Sequence, residues 1–408
     1  MHKKRSKKLL YLVLLIVLIA GGLYFYKNLN LQEKQTNKKE KEINYGIFND
    51  YYKDAKELVK EMTIEEKVGQ LFIVQYRASD VEYLSNFYPG GYLLFAKDFQ
   101  GHTKDTILKE LNKDQSLNKY KLIIAVDEEG GFVTRVSRFQ NFRNEKFLSP
   151  REYFEQGGYE LLEKTENEKA TLLKSIGVNL NLAPVADVST DENDFINNRT
   201  FGKSAKETSE YIKNMVKYAN NNKINSCLKH FPGYGNNVDT HTGVAIDNRS
   251  YETFTENDYL PFKAGIEENV PCVLVSHNIM TSVDDKYPST LSKKVISELR
   301  NKLDFTGIII TDDLSMDAVK QYVEDGKAAT MAINAGNDMI ITGDFISMKN
   351  EVLKSVEEGL IKEETINNAV TRIIAWKYYS GILEKKWYNN ERRHTYGSNR
   401  FIKSIRKW

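Results

Sequence analysis

GIIITDD, residues 307–313, sets three isoleucines between a glycine and two aspartates. So short an apolar run, built from a β-branched residue, suits a strand covered on both faces, as strands of parallel sheets are. Seven other runs share this texture: QLFIVQ from Gln70, GYLLFA from Gly91, LIIAVD from Leu122, VNLNLAP from Val178, NSCLKHF from Asn225, CVLVSH from Cys272 and DMIITG from Asp338. Amphipathic or charged segments long enough for a helix separate most of them, and SAKETSEYIKNMVKYANNN and LSKKVISELRNKL are the clearest. Strands and helices alternating in this number, over roughly 300 residues, have the count and size of a (β/α)8 barrel of the TIM type. The expected fold is therefore α/β, with a single catalytic barrel domain. An open, doubly wound sheet is the structural rival, but eight is the number at which the barrel closes.

The ends of the runs carry chemistry. Asp127, Asp187, His230, His277 and Asp312 stand at or just beyond the C-terminal ends of their runs. In a barrel those ends converge at one mouth, where active sites are built. One aspartate after one strand is usually a helix cap or turn residue; several converging polar endings point to a site. The fifth run continues into KHFPGYGNNVDTHTG, residues 229–243, where Pro232 fixes φ and Gly233 and Gly235 permit tight turns. Lys229 and His230 should face the mouth. Asp239 and His241 lie two apart and share a face in an extended segment. A carboxylate beside an imidazole orients the ring and raises its basicity, which prepares a general acid/base near neutral pH. Such a pair alone on a surface loop is usually inert, so its place after a barrel strand is what gives it weight.

Asp312 and Asp313 leave the seventh run side by side. Neighbours on a strand end point to opposite sides, so one is expected to face substrate while the other pairs with the structure. A carboxylate set against an acid/base group is the arrangement of a retaining glycosidase. A metal centre is the rival use of His230, His241, His277, Asp239 and Asp312. No H-x-H, H-E-x-x-H or facial-triad spacing occurs among them, so neither a metal nor another cofactor is expected.

The composition, 41% hydrophobic and 28% charged, is that of a folded chain. A formal net charge of +2 over 408 residues leaves no nucleic-acid footprint. Cys227 and Cys272, inside apolar runs, read as small buried hydrophobes, with a disulfide as the alternative. The N-terminus is more telling: a basic flank at 1–8 precedes an uncharged run from Leu9 to Tyr26, about the ~20 residues that cross a hydrocarbon core. The basic flank stays cytoplasmic and sends the rest of the chain outward. No A-x-A cleavage site follows, which favours a transmembrane helix over a cleaved signal. A polar tether at 27–49, the barrel at 50–384 and a basic aromatic tail at 385–408 complete the expected organisation. This describes a single-pass cell-membrane protein with its catalytic domain outside. The tail is read either as a solvated terminus or as a binder of anionic polymer or lipid head groups.

MTIEEKVGQLFIV, VDEEGG, APVADV, KHFPGYG with D-x-H behind it, GIIITDDLSM and AGNDMIITG follow one another in this order over nearly all of the chain beyond the tether. In this the chain resembles the family 3 glycoside hydrolases, in their β-N-acetylhexosaminidase (NagZ-like) branch. The resemblance implies that Asp312 is the nucleophile, His241 the acid/base and Asp239 its dyad partner. It implies that Asp127 and Arg135 bind sugar hydroxyls, that Arg199 is a further substrate arginine, and that Lys229 and His230 grip the sugar. It also implies that the glycines of the loop let His241 come and go over the bound sugar. The implied activity is that of a retaining exo-β-N-acetylglucosaminidase, acting without a cofactor on terminal N-acetylglucosamine of peptidoglycan fragments or related glycans. Four departures from the family pattern bear on subsite preference: Tyr234 where a histidine is frequent, Phe132 where an arginine is frequent, Glu128 where a glutamine is common, and Glu298 where an apolar residue is usual. A β-glucosidase or β-xylosidase of the same family is disfavoured by the Asp239 and His241 pair. A catalytically inactive glycan-binding barrel is disfavoured because neither nucleophile nor donor is missing.

Overall fold

The computed structural model describes residues 45–78, 81–237, 245–316, 319, 321–323 and 327–385. The apolar run Leu9–Tyr26, Asp239, His241 and the tail from residue 386 lie outside the described residues. Each of the eight apolar runs contains a strand: β1 Phe72–Gln75, β2 Gly91–Leu94, β3 Ile123–Val126, β4 Leu180–Asn181, β5 Asn225–Phe231, β6 Cys272–Val275, β7 Ile308–Thr311 and β8 Ile340–Thr342. They pair in parallel in the order β8-β1-β2-β3-β4-β5-β6-β7. The seam between β7 and β8 is joined by a parallel bridge, Ile310 to Met339, and by the Thr311 N–H donating to the Met339 carbonyl at 3.0 Å. The result is a nearly closed parallel barrel of the TIM type. Every residue of β2, β3, β6 and β7 is buried, which is why those runs are continuously apolar instead of alternating.

The helices are α1 Tyr52–Glu61, α2 Ile64–Gln70, α3 Val81–Asn86, α4 Lys104–Leu117, α5 Pro150–Ser175, α6 Ala205–Asn221, α7 Tyr259–Glu267, α8 Lys293–Ser297, α9 Ala328–Ala335, α10 Phe345–Glu357 and α11 Glu363–Tyr379. Their starts are written in the sequence. Ser149 before Pro150 and Ser204 before Ala205 each cap an N-terminus, with Glu152 and Glu207 closing reciprocal capping boxes. The helix expected over LSKKVISELRNKL begins at its Ser292 cap, but after α8 it widens into a π turn over Glu298–Lys302.

Helix α11 closes the end of the barrel at which the strands begin. Trp376 is fully buried and donates from Nε1 to Asn225 Oδ1, at the head of β5, at 2.8 Å. Lys377, also fully buried, donates to Gln70 Oε1 before β1 at 2.7 Å and to the Lys121 carbonyl before β3 at 2.7 Å. Burial pushes its ammonium well below the usual lysine pKa. A 3-10 helix at Gly46–Tyr51 packs on α11 through Phe48 and Tyr379, ring centroids 5.4 Å apart. The last residues of the expected 27–49 tether thus belong to the folded body, because Phe48 is an anchor and not a linker residue.

One sequence reading changes here. Cys227 and Cys272, register partners on β5 and β6, form a disulfide instead of packing as two separate thiols. Their separation of 45 residues hides a Cα–Cα distance of 4.4 Å that only strand pairing produces. Among the described residues no helix is long and apolar enough to cross a membrane; the run expected to do so is not among them.

Trp376 is the largest fully buried side chain among the described residues. Trp376→Ala is expected to lower the unfolding free energy by about 3–5 kcal/mol, measured by urea unfolding. A loss of less than about 1 kcal/mol, the size of an average substitution, would show that α11 does not hold the barrel closed.

Candidate active site

A cavity of about 570 Å³ opens where the strands end. Asp127, Arg135, Arg199, Lys229 and His230 all border it, and so does Asp312. They come from different elements: Asp127 follows β3, Lys229 and His230 belong to β5, Arg199 ends a 3-10 turn at Asn197–Arg199, and Asp312 follows β7. The peptide between Lys229 and His230 is cis, and both side chains reach the cavity.

Glu129 is the hub of this group, and it was not singled out from the sequence. Its side chain is 4% exposed, yet it accepts from Lys229 Nζ at 2.6 Å and from Arg199 through two nitrogens at 2.8 and 3.1 Å. Burial alone would raise its carboxyl, but the Lys229 and Arg199 charges outweigh burial and hold it far below the usual carboxylate range. The same balance, seen from the other side, raises Arg199 despite its burial. Lys229 also donates to Asp127 Oδ1 at 2.7 Å. VDEEGG carries three consecutive acids after an apolar run, which is a signal of sorts, but which of them meets two cations is decided by β5 and the Asn197–Arg199 turn.

His230 is held in a defined orientation. Its Nδ1 lies 2.7 Å from Asp187 Oδ2 and its Nε2 lies 3.1 Å from an Arg199 amine. A guanidinium can only donate, so Nε2 accepts and the ring proton sits on Nδ1, directed to Asp187. Asp187 also accepts the backbone N–H groups of His230 and Tyr234 at 3.1 and 2.7 Å. Asp187 is fully enclosed and supports the site from behind. His277 does likewise: it is fully buried, with Nδ1 2.8 Å from Thr290 Oγ1 and Nε2 3.0 Å from the Asp313 carbonyl. Of the polar strand endings expected at the mouth, Asp127, His230 and Asp312 border the cavity, whereas Asp187 and His277 stand one layer behind it.

Asp312 is half-buried. Its N–H donates to the Val275 carbonyl at 2.8 Å, and its Oδ1 accepts the Asp313 N–H at 2.8 Å. Asp313 was expected to face the opposite side, but it borders the same cavity. The strand ends at Thr311 and the chain turns at once, Met316 N–H bonding to the Asp313 carbonyl at 3.1 Å, so strand alternation no longer applies. Division of labour survives in another form: Asp313 spends its oxygens on the Ser315 N–H at 2.8 Å and on Gln75 Nε2.

Arg135 is only loosely engaged. Its guanidinium lies 3.9 Å from Asp127 and 5.8 Å from the Phe95 ring, and its Nε has no acceptor among the described residues. The departures at Glu128 and Tyr234 act indirectly. Glu128 is fully buried and accepts the N–H groups of Arg135 and Val136 at 2.7 and 2.8 Å, shaping the loop and not the cavity wall. Tyr234 is buried against His230 and Phe195, at 5.7 and 5.9 Å between centroids. Phe132 is 75% exposed. Among the described residues no three His, Cys, Asp or Glu side chains gather as metal ligands.

Asp239 and His241 lie outside the described residues, between Asn237 and Ala245. Both roots of that segment are well held. Asn237 donates to Asp247 at 2.7 Å, Arg249 bridges Asp247 and Asp258, and Ala245 is fully buried. At Gly233 (φ +119°) an added Cβ would stand 2.3 Å from Asp258 Oδ1, so the turn after β5 admits only glycine.

Comparison with known proteins adds an independent line. The family model for the glycosyl hydrolase family 3 N terminal domain matches residues 63–376. A beta-hexosaminidase of Nitrosomonas eutropha is 29% identical over 286 residues, 67% of this chain and 79% of that protein. One from Photobacterium profundum is 32% identical over 273 residues, 65% of this chain and 78% of that protein. Among solved structures, a glycoside hydrolase family 3 beta-N-acetylglucosaminidase from Paenibacillus sp. superposes with a TM-score of 0.73 at 26% identity. That match covers 79% of this chain and 63% of the Paenibacillus chain.

Glu129→Gln, which removes the negative member of a buried charge cluster, is expected to cost about 3–5 kcal/mol of unfolding free energy. Urea unfolding of the variant measures it. An unchanged midpoint would mean that Lys229 and Arg199 find equal compensation from Asp127 and Asp187.

Proposed function

The chain belongs to glycosyl hydrolase family 3 and is a glycoside hydrolase, and from that premise we propose that it is a retaining exo-β-N-acetylglucosaminidase. The observation that carries this reading is the position of Asp312. It stands on one wall of a cavity whose other walls offer Asp127, Lys229, His230, Arg199 and Arg135. About 570 Å³ is within the range of small-molecule sites, roughly 300–1,000 Å³, and a pocket of that kind suits a chain-terminal sugar better than an internal one.

In the proposed reaction the Asp312 carboxylate attacks the anomeric carbon, and the leaving oxygen takes a proton from His241. Water then enters with His241 acting as base and releases the sugar with retained configuration. Asp239 orients the imidazole. The reach is adequate: His241 is four residues beyond Asn237, or at most about 14 Å of extended chain. Tyr234, three residues before Asn237, packs on His230 at the cavity wall. Asp127 and Lys229 form a donor–acceptor pair for sugar hydroxyls, and Arg135 brings unspent donors.

The N-acetylated substrate is supported by relatives that carry the beta-hexosaminidase name and by the D-x-H pair. Peptidoglycan fragments or related glycans as the source follow from the N-terminal run Leu9–Tyr26, read as a single-pass anchor that places the barrel outside the cell. A disulfide between β5 and β6 suits that oxidising side.

Asp312→Asn is expected to abolish turnover of a nitrophenyl N-acetylglucosaminide while the circular dichroism spectrum is kept; unchanged kcat would remove Asp312 from the nucleophile's role. His241→Ala is expected to slow glycans with poor leaving groups by about 10²–10⁴-fold and to spare nitrophenyl substrates, which need little protonation. Equal losses on both would count against a proton donor.

A further inference from the structure

The polar groups of the cavity lie deep, and an aromatic ring stands outward of them. Lys229 is 2% exposed and His230 5%, whereas Phe195, on the same cavity, is 43% exposed. Of the large apolar side chains that are exposed among the described residues, Phe195 alone borders this cavity. A single exposed aromatic needs no explanation elsewhere on a surface, but on the wall of a ligand cavity it is in position for a ligand's apolar face.

Phe195 is also held still. Its neighbours in the chain are anchored: Asp194 accepts from Ser189 Oγ at 2.7 Å, and Ile196 is fully buried. Asn197 donates to Ser189 Oγ at 3.1 Å, while its carbonyl accepts from Arg151 at 2.8 Å. Tyr234 backs the ring, with centroids 5.9 Å apart and planes inclined by 39°. Tyr234 is itself buried and packs edge-on against His230. A ring fixed in this way loses little freedom when a ligand settles on it, so its apolar area turns into affinity at small ordering cost. A pyranose of the gluco type carries its hydroxyls around its edge and turns axial C–H groups to its faces. Such a face suits the electron-rich face of an aromatic ring.

We propose that Phe195 is the platform for the sugar ring on the leaving side of the cleaved bond, and so selects a saccharide aglycone over a small one. The inference deepens the function proposed above and rests on it. A terminal sugar gripped by Asp127, Lys229, His230 and Arg199 is nearly enclosed, so the part of the substrate that emerges past the outer wall is the aglycone. Phe195 is the exposed member of that wall. A second pyranose there covers the ring; a methyl group is too small to do so.

The test compares a β-1,4-linked N-acetylglucosamine disaccharide with methyl N-acetyl-β-glucosaminide, followed by the release of reducing sugar. Both leaving groups are alkyl oxygens with a similar need for a proton, so the comparison isolates contact with the aglycone. Phe195→Ala is expected to lower kcat/KM for the disaccharide roughly tenfold and to leave the methyl glycoside within about twofold. Phe195→Trp should keep the disaccharide preference. Equal losses on both substrates overturn the proposal, since they would make Phe195 a support for Tyr234 and His230. No loss on either overturns it as well. The choice of terminal sugar is judged apart, with cellobiose and methyl β-glucoside. A wild-type chain that cleaves only this pair refutes the N-acetyl reading, while Phe195 is judged on the disaccharide preference there. Calorimetry on the Asp312→Asn chain, comparing the disaccharide with N-acetylglucosamine, reads the platform without turnover. Tighter binding of the disaccharide, lost when Phe195→Ala is added, supports it even if the wild-type chain proves inactive. Equal binding of the two sugars, or an advantage that survives Phe195→Ala, overturns it.

Discussion

Glu129 keeps a full negative charge in a place with almost no water, and it does so because Lys229 and Arg199 arrive from two other parts of the chain. A buried charge is tolerated only with partners and complete hydrogen bonding. That requirement ties the loop after β3 to the end of β5 and to the turn at Asn197–Arg199. Arg199 then donates to His230, His230 to Asp187, and Asp187 collects the N–H groups that set the turn after β5. Each link uses a donor or acceptor that the previous one leaves over. Asp127, Lys229, Arg199 and His230 are therefore positioned at the cavity by one continuous network, and a ligand there would meet groups already oriented, the condition under which electrostatic stabilisation costs no reorganisation.

The barrel's polarity separates this network from the helix that closes its other end. Parallel strands gather all their C-terminal ends on one rim, and that rim holds the cavity. The opposite rim is closed by Trp376 and Lys377 of α11. Helix α11 is the last described helix, and Gly46–Tyr51 packs on it at that closed end.

Much of this architecture is legible before any coordinates. The eight runs and their spacing are local properties, and each run contains a strand as read. Asp127, Arg135, Arg199, Lys229, His230 and Asp312 border one cavity; Asp127, Lys229, His230 and Asp312 do so because the strand ends of a parallel barrel converge on one rim, whereas Arg135 and Arg199 arrive from loops. What escaped is instructive. Asp313 stays with Asp312 because the strand stops one residue earlier than alternation needs, a matter of turn geometry and not of pattern. Asp187 and His277 look like site residues in sequence, but their partners His230, Tyr234, Thr290 and the Asp313 carbonyl make them supports.

The sequence by itself determined the strand and helix periodicity, the closing number and the chemical types at the strand ends, since apolar spacing and capping residues act over a few neighbours. Only the tertiary structure decided that Glu129 carries the central charge, that Cys227 meets Cys272, and that Lys377 meets Gln70. Those facts depend on which distant segments pack side by side, and local spacing does not encode distances between residues separated by 45 to more than 300 positions.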